Sequence, residues 1–313
     1  MIGVAGAGAF GTALAVTWAR AGRDVVLWGR DPEAMRRAAA ERRVARLPDV
    51  TLPDALRLTA DPDALRGCAA LVLAVPAQTL PEVARRLAPV CAGAVPVAAC
   101  KGIDLATLEG PTATLARAGL SGAAILSGPS FAADIARGLP TALSLAPGDA
   151  ALQDLLSTPA LRLYRTDDVR GVELGGALKN VVAIACGAAI GAGLGESARA
   201  ALMTRGMAEM TRLAAALGAE PRTLMGLSGL GDLALTCASP QSRNFAAGLA
   251  LGRGAPLPDA TTEGVATARA AAALAARHGI DVPVTAAVEA LTSGTVDLRG
   301  AMDALLSRDL TEE

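Results

Sequence analysis

The stretch Ile2-Gly3-Val4-Ala5-Gly6-Ala7-Gly8-Ala9-Phe10-Gly11-Thr12-Ala13-Leu14 decides the fold. Ile2–Ala5 is a short apolar run of strand length, and Gly11–Ala21 follows helical spacing. Between them lies G-x-G-x-x-G, with glycines at Gly6, Gly8 and Gly11. In a strand-to-helix turn the first glycine makes the tight bend and the second lets a pyrophosphate approach the backbone. The third allows close packing of helix on strand, and the helix N-terminus receives the phosphates. The position at the head of a unit of about thirty residues is the one a dinucleotide-binding βαβ unit requires.

Outward from this turn, apolar runs recur at Asp24–Trp28, Arg57–Thr59, Leu71–Val75, Val95–Ala99, Ala123–Leu126, Ala142–Leu145 and Leu161–Tyr164. Helical patterns fill most gaps, at Pro32–Ala45, Leu80–Leu87, Leu105–Ala118 and Phe131–Arg137. Continuous apolar strands alternating with helices imply a largely parallel sheet covered on both faces. The second strand runs into Gly29-Arg30, where an NAD-selective site usually carries an acidic residue for the ribose hydroxyl. Arg30 instead suits a 2′-phosphate, and Asp31 suits the cap of a helix begun by Pro32. Arg36, Arg37, Arg42, Arg43 and Arg46 follow, either as a solvated helix face or as a source of positive potential.

Beyond about residue 170 only helical patterns remain: Val172–Gly191, Glu196–Leu217, Arg222–Met225, Gln241–Leu251, Gly264–His278, Pro283–Leu291 and Leu298–Leu306. The expected fold is an α/β Rossmann-type N-terminal domain over residues 1–175, followed by an all-α C-terminal domain over 176–313. The length of 313 residues fits two domains.

Composition narrows the function. Charges nearly cancel, with 29 basic against 30 acidic residues, and aromatics make up 2% of the chain. Neither a broad basic face nor a stacking platform for nucleic acid is present. The five cysteines, Cys68, Cys91, Cys100, Cys186 and Cys237, form no C-x-x-C pair. They read as reduced thiols, and no metal site is expected. Residues 1–19 are uncharged but lack a basic leader and contain four glycines, and the uncharged run Asn180–Gly195 is too short to span a bilayer. A cytoplasmic protein without membrane insertion is expected.

The basic total hides a contrast. Only Lys101 and Lys179 are lysines, and the other 27 basic residues are arginines. A composition that replaces lysine by arginine leaves lysine where a compact ammonium able to release a proton is needed. Lys101 follows the apolar run Val95–Cys100, and Gly128-Pro129-Ser130-Phe131 likewise follows a strand and opens a helix. Lys179 lies at the mouth of an uncharged helix, where burial should lower its pKa and make it a general acid/base. Asp232, in Gly229-Leu230-Gly231-Asp232-Leu233, is a plausible charge partner, and a purely structural ion pair is the other reading. Gln241-Ser242-Arg243-Asn244 suits capture of a phosphate or carboxylate, or a polar helix start. Glu263-Gly264 is either a helix N-terminus or a cofactor contact.

Together these stretches resemble the bacterial-type NAD(P)-dependent glycerol-3-phosphate dehydrogenases. The resemblance is carried by GAGAFGTAL (6–14), VVLWGRDP (25–32), Lys101-Gly102, SGPSF (127–131), GLPTA (138–142), GGALKNV (175–181), ALMTRGMAEM (201–210), GLGDLALTC (229–237) and QSRN (241–244). It implies reduction of dihydroxyacetone phosphate to sn-glycerol 3-phosphate with NADPH or NADH, supplying glycerophospholipid synthesis, and a homodimer. Lys179 would be the general acid/base. Lys101, Gly128, Ser130, Lys179, Asn180, Asp232, Thr236, Ser242, Arg243 and Asn244 would hold the substrate, with Arg243 on its phosphate. Gly6, Gly8, Ala9, Phe10, Gly11, Arg30, Lys101, Ala132, Arg243, Thr261 and Glu263 would line the cofactor site. Phe245 stands where the family commonly has Arg, and Ser130 where Thr is common. The alternatives are a related reductase, such as a ketopantoate reductase, and a non-catalytic NADP sensor.

Overall fold

The computed structural model describes residues 1–258 and 262–307. The chain forms two compact units. The first comprises Met1–Lys101 and Glu109–Glu173, the second Gly102–Leu108 and Leu174–Glu313.

The first unit is built on an eight-stranded sheet. Its strands are β1 (Ile2–Ala5), β2 (Val25–Trp28), β3 (Arg57–Thr59), β4 (Ala70–Leu73), β5 (Val95–Ala98), β6 (Ala124–Ser127), β7 (Thr141–Ala146) and β8 (Leu161–Arg165). Their order is β3-β2-β1-β4-β5-β6-β7-β8. All neighbours are parallel except β6 and β7. Because chain order reverses between β1 and β4, a crevice opens at their carboxyl ends, where open α/β sheets bind ligands.

Burial on both faces explains the unbroken apolar strands. Val4, Leu27 and Val72 pack on one side beneath helices α1 (Ala9–Arg20), α5 (Ala132–Ala136) and α6 (Ala150–Leu156). Val26, Leu71 and Ala98 pack on the other, beneath α3 (Leu80–Leu87) and α4 (Pro111–Arg117). Helix α2 (Pro32–Glu41) begins as expected, with Asp31 Oδ1 accepting from the N–H groups of Glu33 at 2.9 Å and Ala34 at 3.1 Å.

The helix expected over Leu105–Ala118 is shorter. Only Pro111–Arg117 is helical. Asp104 Oδ1 accepts from the N–H groups of Ala106 and Thr107 and from the Thr107 hydroxyl, and Leu108 adopts φ 59°. A short carboxylate bonded to the following backbone competes with the first helical turn. Pro111 restarts the helix because its missing N–H is not needed there.

In the second unit, α7 (Val169–Gly191) is the central helix from Leu174 onward, followed by α8 (Gly195–Ala216), α9 (Pro221–Leu224), α10 (Asp232–Cys237), α11 (Arg243–Gly252), α12 (Glu263–His278), α13 (Pro283–Ser293) and α14 (Leu298–Leu306). Helix α7 is the one described helix long and apolar enough to cross a membrane. It is mostly buried, with Leu178, Val182 and Cys186 in one core and Val181, Ile184 and Ala185 in a second. Helix α10 was not anticipated from the sequence. It follows a π-helical turn at Leu227–Gly231, whose two internal glycines mask the helical pattern. All five cysteines are buried and free.

Two carboxylates, one half-buried and one buried, stand in for missing helix caps. Gly110 offers α4 no side chain, and Glu173 Oε1 accepts from the Thr112 N–H at 2.7 Å. Val282 offers none to α13, and Glu209 accepts from the N–H groups of Val284 and Thr285, both at 2.8 Å. An anion at a helix N-terminus is favourable. Burial nevertheless raises both carboxyls above the ordinary glutamate range.

Candidate functional site

The fingerprint loop forms at the β1/β4 switch point. Gly6 has φ 122°, which a side chain rarely tolerates, and a Cβ there would meet the Ala74 carbonyl oxygen at 2.5 Å. A Cβ on Gly11 would run into the Gly6 carbonyl. At Gly8 a Cβ would meet nothing in the protein. It would instead occupy the open space above the loop. Gly8 is also the N-cap of α1 and supplies no capping side chain. The N–H groups of Ala9, Phe10 and Gly11 thus begin an uncapped helix beside open space, which fits a pyrophosphate.

At the end of β2, Arg30 is exposed and makes no hydrogen bond or ion pair among the described residues. Asp31 Oδ1, in contrast, is committed to the cap of α2. The chemistry beside β2 is therefore that of an available guanidinium, suited to a 2′-phosphate.

Lys101 and Gly128 follow the carboxyl ends of β5 and β6. Lys101 Nζ donates to the Gly128 carbonyl at 2.9 Å and to Ser130 Oγ at 3.4 Å, and lies 5.8 Å from the centre of the Phe10 ring. The Ser130 hydroxyl donates to the same carbonyl at 2.9 Å. Gly128 holds φ 151°, which turns the chain after β6. Residues assigned from sequence to substrate (Lys101, Gly128, Ser130) and to cofactor (Phe10) thus share one ammonium. Ala132 opens α5 directly after Phe131.

The second unit assembles the other group. Lys179 is 6% exposed and Asp232 1%. Lys179 Nζ lies 3.0 Å from Asp232 Oδ1 and donates to Thr236 Oγ1 at 2.7 Å. Thr236 Oγ1 donates to Asp232 Oδ1 at 3.3 Å, one helical turn back on α10. A buried ammonium beside a buried carboxylate and a hydroxyl is compensated in charge. An ammonium is also able, by its chemistry, to exchange a proton with a group placed against it.

Gly175 is a positioning residue that the sequence reading missed. A Cβ there would come within 2.9 Å of the Ser228 carbonyl oxygen, so its absence lets α7 approach the turn ahead of Asp232. Gly175 and Lys179 are four residues apart and share a helix face. A glycine one turn before the lone lysine was the available signal.

Ser242 caps α11, with its Oγ accepting from the Phe245 N–H at 3.2 Å. Arg243 opens that helix, exposed and without a polar partner among the described residues. Asn244 Nδ2 donates to Asn180 Oδ1 at 2.8 Å, and Asn244 Oδ1 accepts from the Gly264 N–H at 2.9 Å. Asn180 Nδ2 reaches the Gly176 carbonyl at 3.4 Å. Glu263 is the first residue of α12. Thr261 lies outside the described residues. Among the described residues, no cluster of His, Cys, Asp and Glu could hold a metal ion.

Comparisons with known proteins identify the family. The family models described as NAD-dependent glycerol-3-phosphate dehydrogenase N-terminus and C-terminus match residues 1–153 and 168–303. A glycerol-3-phosphate dehydrogenase [NAD(P)+] of Cereibacter sphaeroides is 59% identical, over all of this chain and all of that protein. The protein of the same name from Paracoccus denitrificans is 55% identical over 100% of this chain and 99% of its own. A crystal structure of glycerol-3-phosphate dehydrogenase from Coxiella burnetii superimposes with a TM-score of 0.92 at 37% identity, covering 98% of each chain. A ketopantoate reductase from Ralstonia eutropha shares the fold alone, at a TM-score of 0.60 and 18% identity. The chain belongs to the NAD-dependent glycerol-3-phosphate dehydrogenase family.

Proposed function

We propose that this chain interconverts dihydroxyacetone phosphate and sn-glycerol 3-phosphate with NADP(H), and accepts NAD(H) as a second cofactor. The observation that carries the reading is the buried Lys179–Asp232–Thr236 set. A bound nicotinamide supplies or accepts the hydride. As the ketone is reduced, Lys179 Nζ gives a proton to the developing alkoxide; in the reverse direction it takes the proton of the 2-hydroxyl. Asp232 and Thr236 hold the ammonium in place and stabilise its charged form between turnovers. Arg243 binds the phosphate as a charge-assisted fork, which fixes the ketone against the reacting face. Lys101, held by Gly128 and Ser130, adds a second positive charge toward the anionic substrate. Gly6, Gly8, Ala9, Phe10, Gly11 and Ala132 line the dinucleotide, and Arg30 takes its 2′-phosphate. Thr261 and Glu263 belong to the same cofactor set.

The product is the backbone of glycerophospholipids, and the enzyme is proposed to act in the cytoplasm as a homodimer. The test is a spectrophotometric assay with dihydroxyacetone phosphate, run with NADPH and NADH in parallel. Turnover with both is expected, and Arg30→Ala should erode the preference for NADPH by about tenfold, the equivalent of ~1.4 kcal/mol. Tight NADPH binding without oxidation by dihydroxyacetone phosphate would favour a sensor instead.

A further inference from the structure

Helix α10 carries Asp232 and Thr236 and is six residues long. A helix this short has too few internal bonds to hold itself in water. The carbonyls of its last turn have no intrahelical partner. Among the described residues, the C-cap Ala238 returns no backbone N–H to them. Arg199 of α8 reaches this end instead, with Nη1 donating to the Cys237 carbonyl at 3.3 Å. A cation at a helix C-terminus is favourable. Arg199 is half-buried, and Glu196 Oε2 accepts from its Nε at 2.5 Å, which orients the guanidinium plane.

The backbone of the same residue is tied to α7. Cys186 Sγ donates to the Arg199 carbonyl at 3.6 Å. Cys186 lies seven residues after Lys179, so the two share a face of α7. The Cys237 thiol, next to Thr236 in the chain, neighbours that of Cys186. Arg199 therefore links the helix that carries Lys179 to the end of the helix that carries Thr236. On its other side α7 has no room to follow a shift. Gly187 and Gly191 of α7 face Gly248 and Gly252 of α11, and a Cβ on any of the four would collide with backbone of the other helix. Helices that meet backbone to backbone cannot absorb a shift by changing rotamers. When the carboxyl end of α10 is released, α10 is the element that drifts.

We propose that Arg199 is a positioning residue, which holds the carboxyl end of α10 and so keeps the Thr236 hydroxyl and Asp232 against Lys179 Nζ. The proposal rests on the function proposed above. Among the described residues the Arg199 guanidinium bonds to Glu196 and to the Cys237 carbonyl, and not to Lys179, Asp232 or Thr236. Its effect on turnover passes through α10. Loss of Arg199 therefore slows the proton-transfer step and leaves the binding of substrate and cofactor in place.

The test compares wild type, Arg199→Ala, Thr236→Val and the double variant in the NADPH assay with dihydroxyacetone phosphate. Arg199→Ala should lower kcat about tenfold, with KM for dihydroxyacetone phosphate and the affinity for NADPH within about twofold of wild type. Arg199→Met keeps the aliphatic stem, should show the same split, and carries the test if Arg199→Ala does not fold. The double variant should stay within about threefold of Thr236→Val alone, since Arg199 acts through the helix that carries Thr236. Guanidinium ion, added below denaturing levels, should restore part of the kcat of Arg199→Ala and leave Thr236→Val unmoved. A raised KM at unchanged kcat would overturn the proposal in favour of a direct substrate contact. Multiplying losses in the double variant would also overturn it, as would a failure of guanidinium rescue or a lowered melting temperature with unchanged turnover. A wild type inert toward dihydroxyacetone phosphate would remove the functional reading itself, and this proposal with it.

Discussion

Replacing Lys179 by Met removes a charge 3.0 Å from Asp232 Oδ1 and leaves a carboxylate that is 1% exposed. Breaking a buried pair from one side costs ~3–5 kcal/mol, because the remaining charge is desolvated without compensation. The Thr236 hydroxyl still donates to Asp232, which places the variant toward the lower end of that range. For units of this size the loss corresponds to a fall in melting temperature of about 10 °C. Adding Asp232→Asn removes the buried charge and should recover most of the lost stability. Neither variant should turn over dihydroxyacetone phosphate, with losses of about a hundredfold or more from the missing proton donor. Differential scanning calorimetry, paired with the NADPH assay, reads both halves. An unshifted melting temperature in the single variant would refute the electrostatic argument. An active double variant would refute the proton-transfer role.

Two further outcomes follow from the same physics. Glu209 has a raised folded pKa, so its contribution to stability is complete below the ordinary glutamate value and declines as pH rises through the folded value. Glu209→Gln should flatten that decline and cost ~1–3 kcal/mol through the weakened α13 cap, as read by urea unfolding at pH 5 and pH 8; a steeper pH dependence in the variant would contradict this. Gly8→Val fills space that is open in the protein, so it should abolish NADPH binding measured by calorimetric titration and leave the melting temperature within about 1 °C. A large loss of stability would mean that Gly8 is needed for the loop itself.

The first unit was largely legible because its signals are local. Strands buried on both faces read as apolar runs, and the Gly6–Gly11 turn carries its own geometry. The second unit was legible as helices, but less so in its starts and stops. Asp104 redirects the backbone of the next three residues, which helical spacing alone does not reveal. The glycines of the π-helical turn conceal that Asp232 opens a helix. The pairing of Lys179 with Asp232 was foreseeable from charge scarcity, since an uncharged helix mouth needs a partner for its lysine. The relay from Asn180 through Asn244 to Gly264 was not. Its members lie 64 and 20 residues apart, and each bond depends on how helices cross.

The crossing of α7 and α11 also limits how far this sequence can drift. The chain holds 27 arginines against two lysines and is rich in alanine. Alanine cannot stand at Gly187, Gly191, Gly248 or Gly252, because even one methyl group would force two backbones apart. These four positions form a fixed point under mutational pressure. Composition can change around them, but the two helices that carry Lys179 and Arg243 must keep the same crossing.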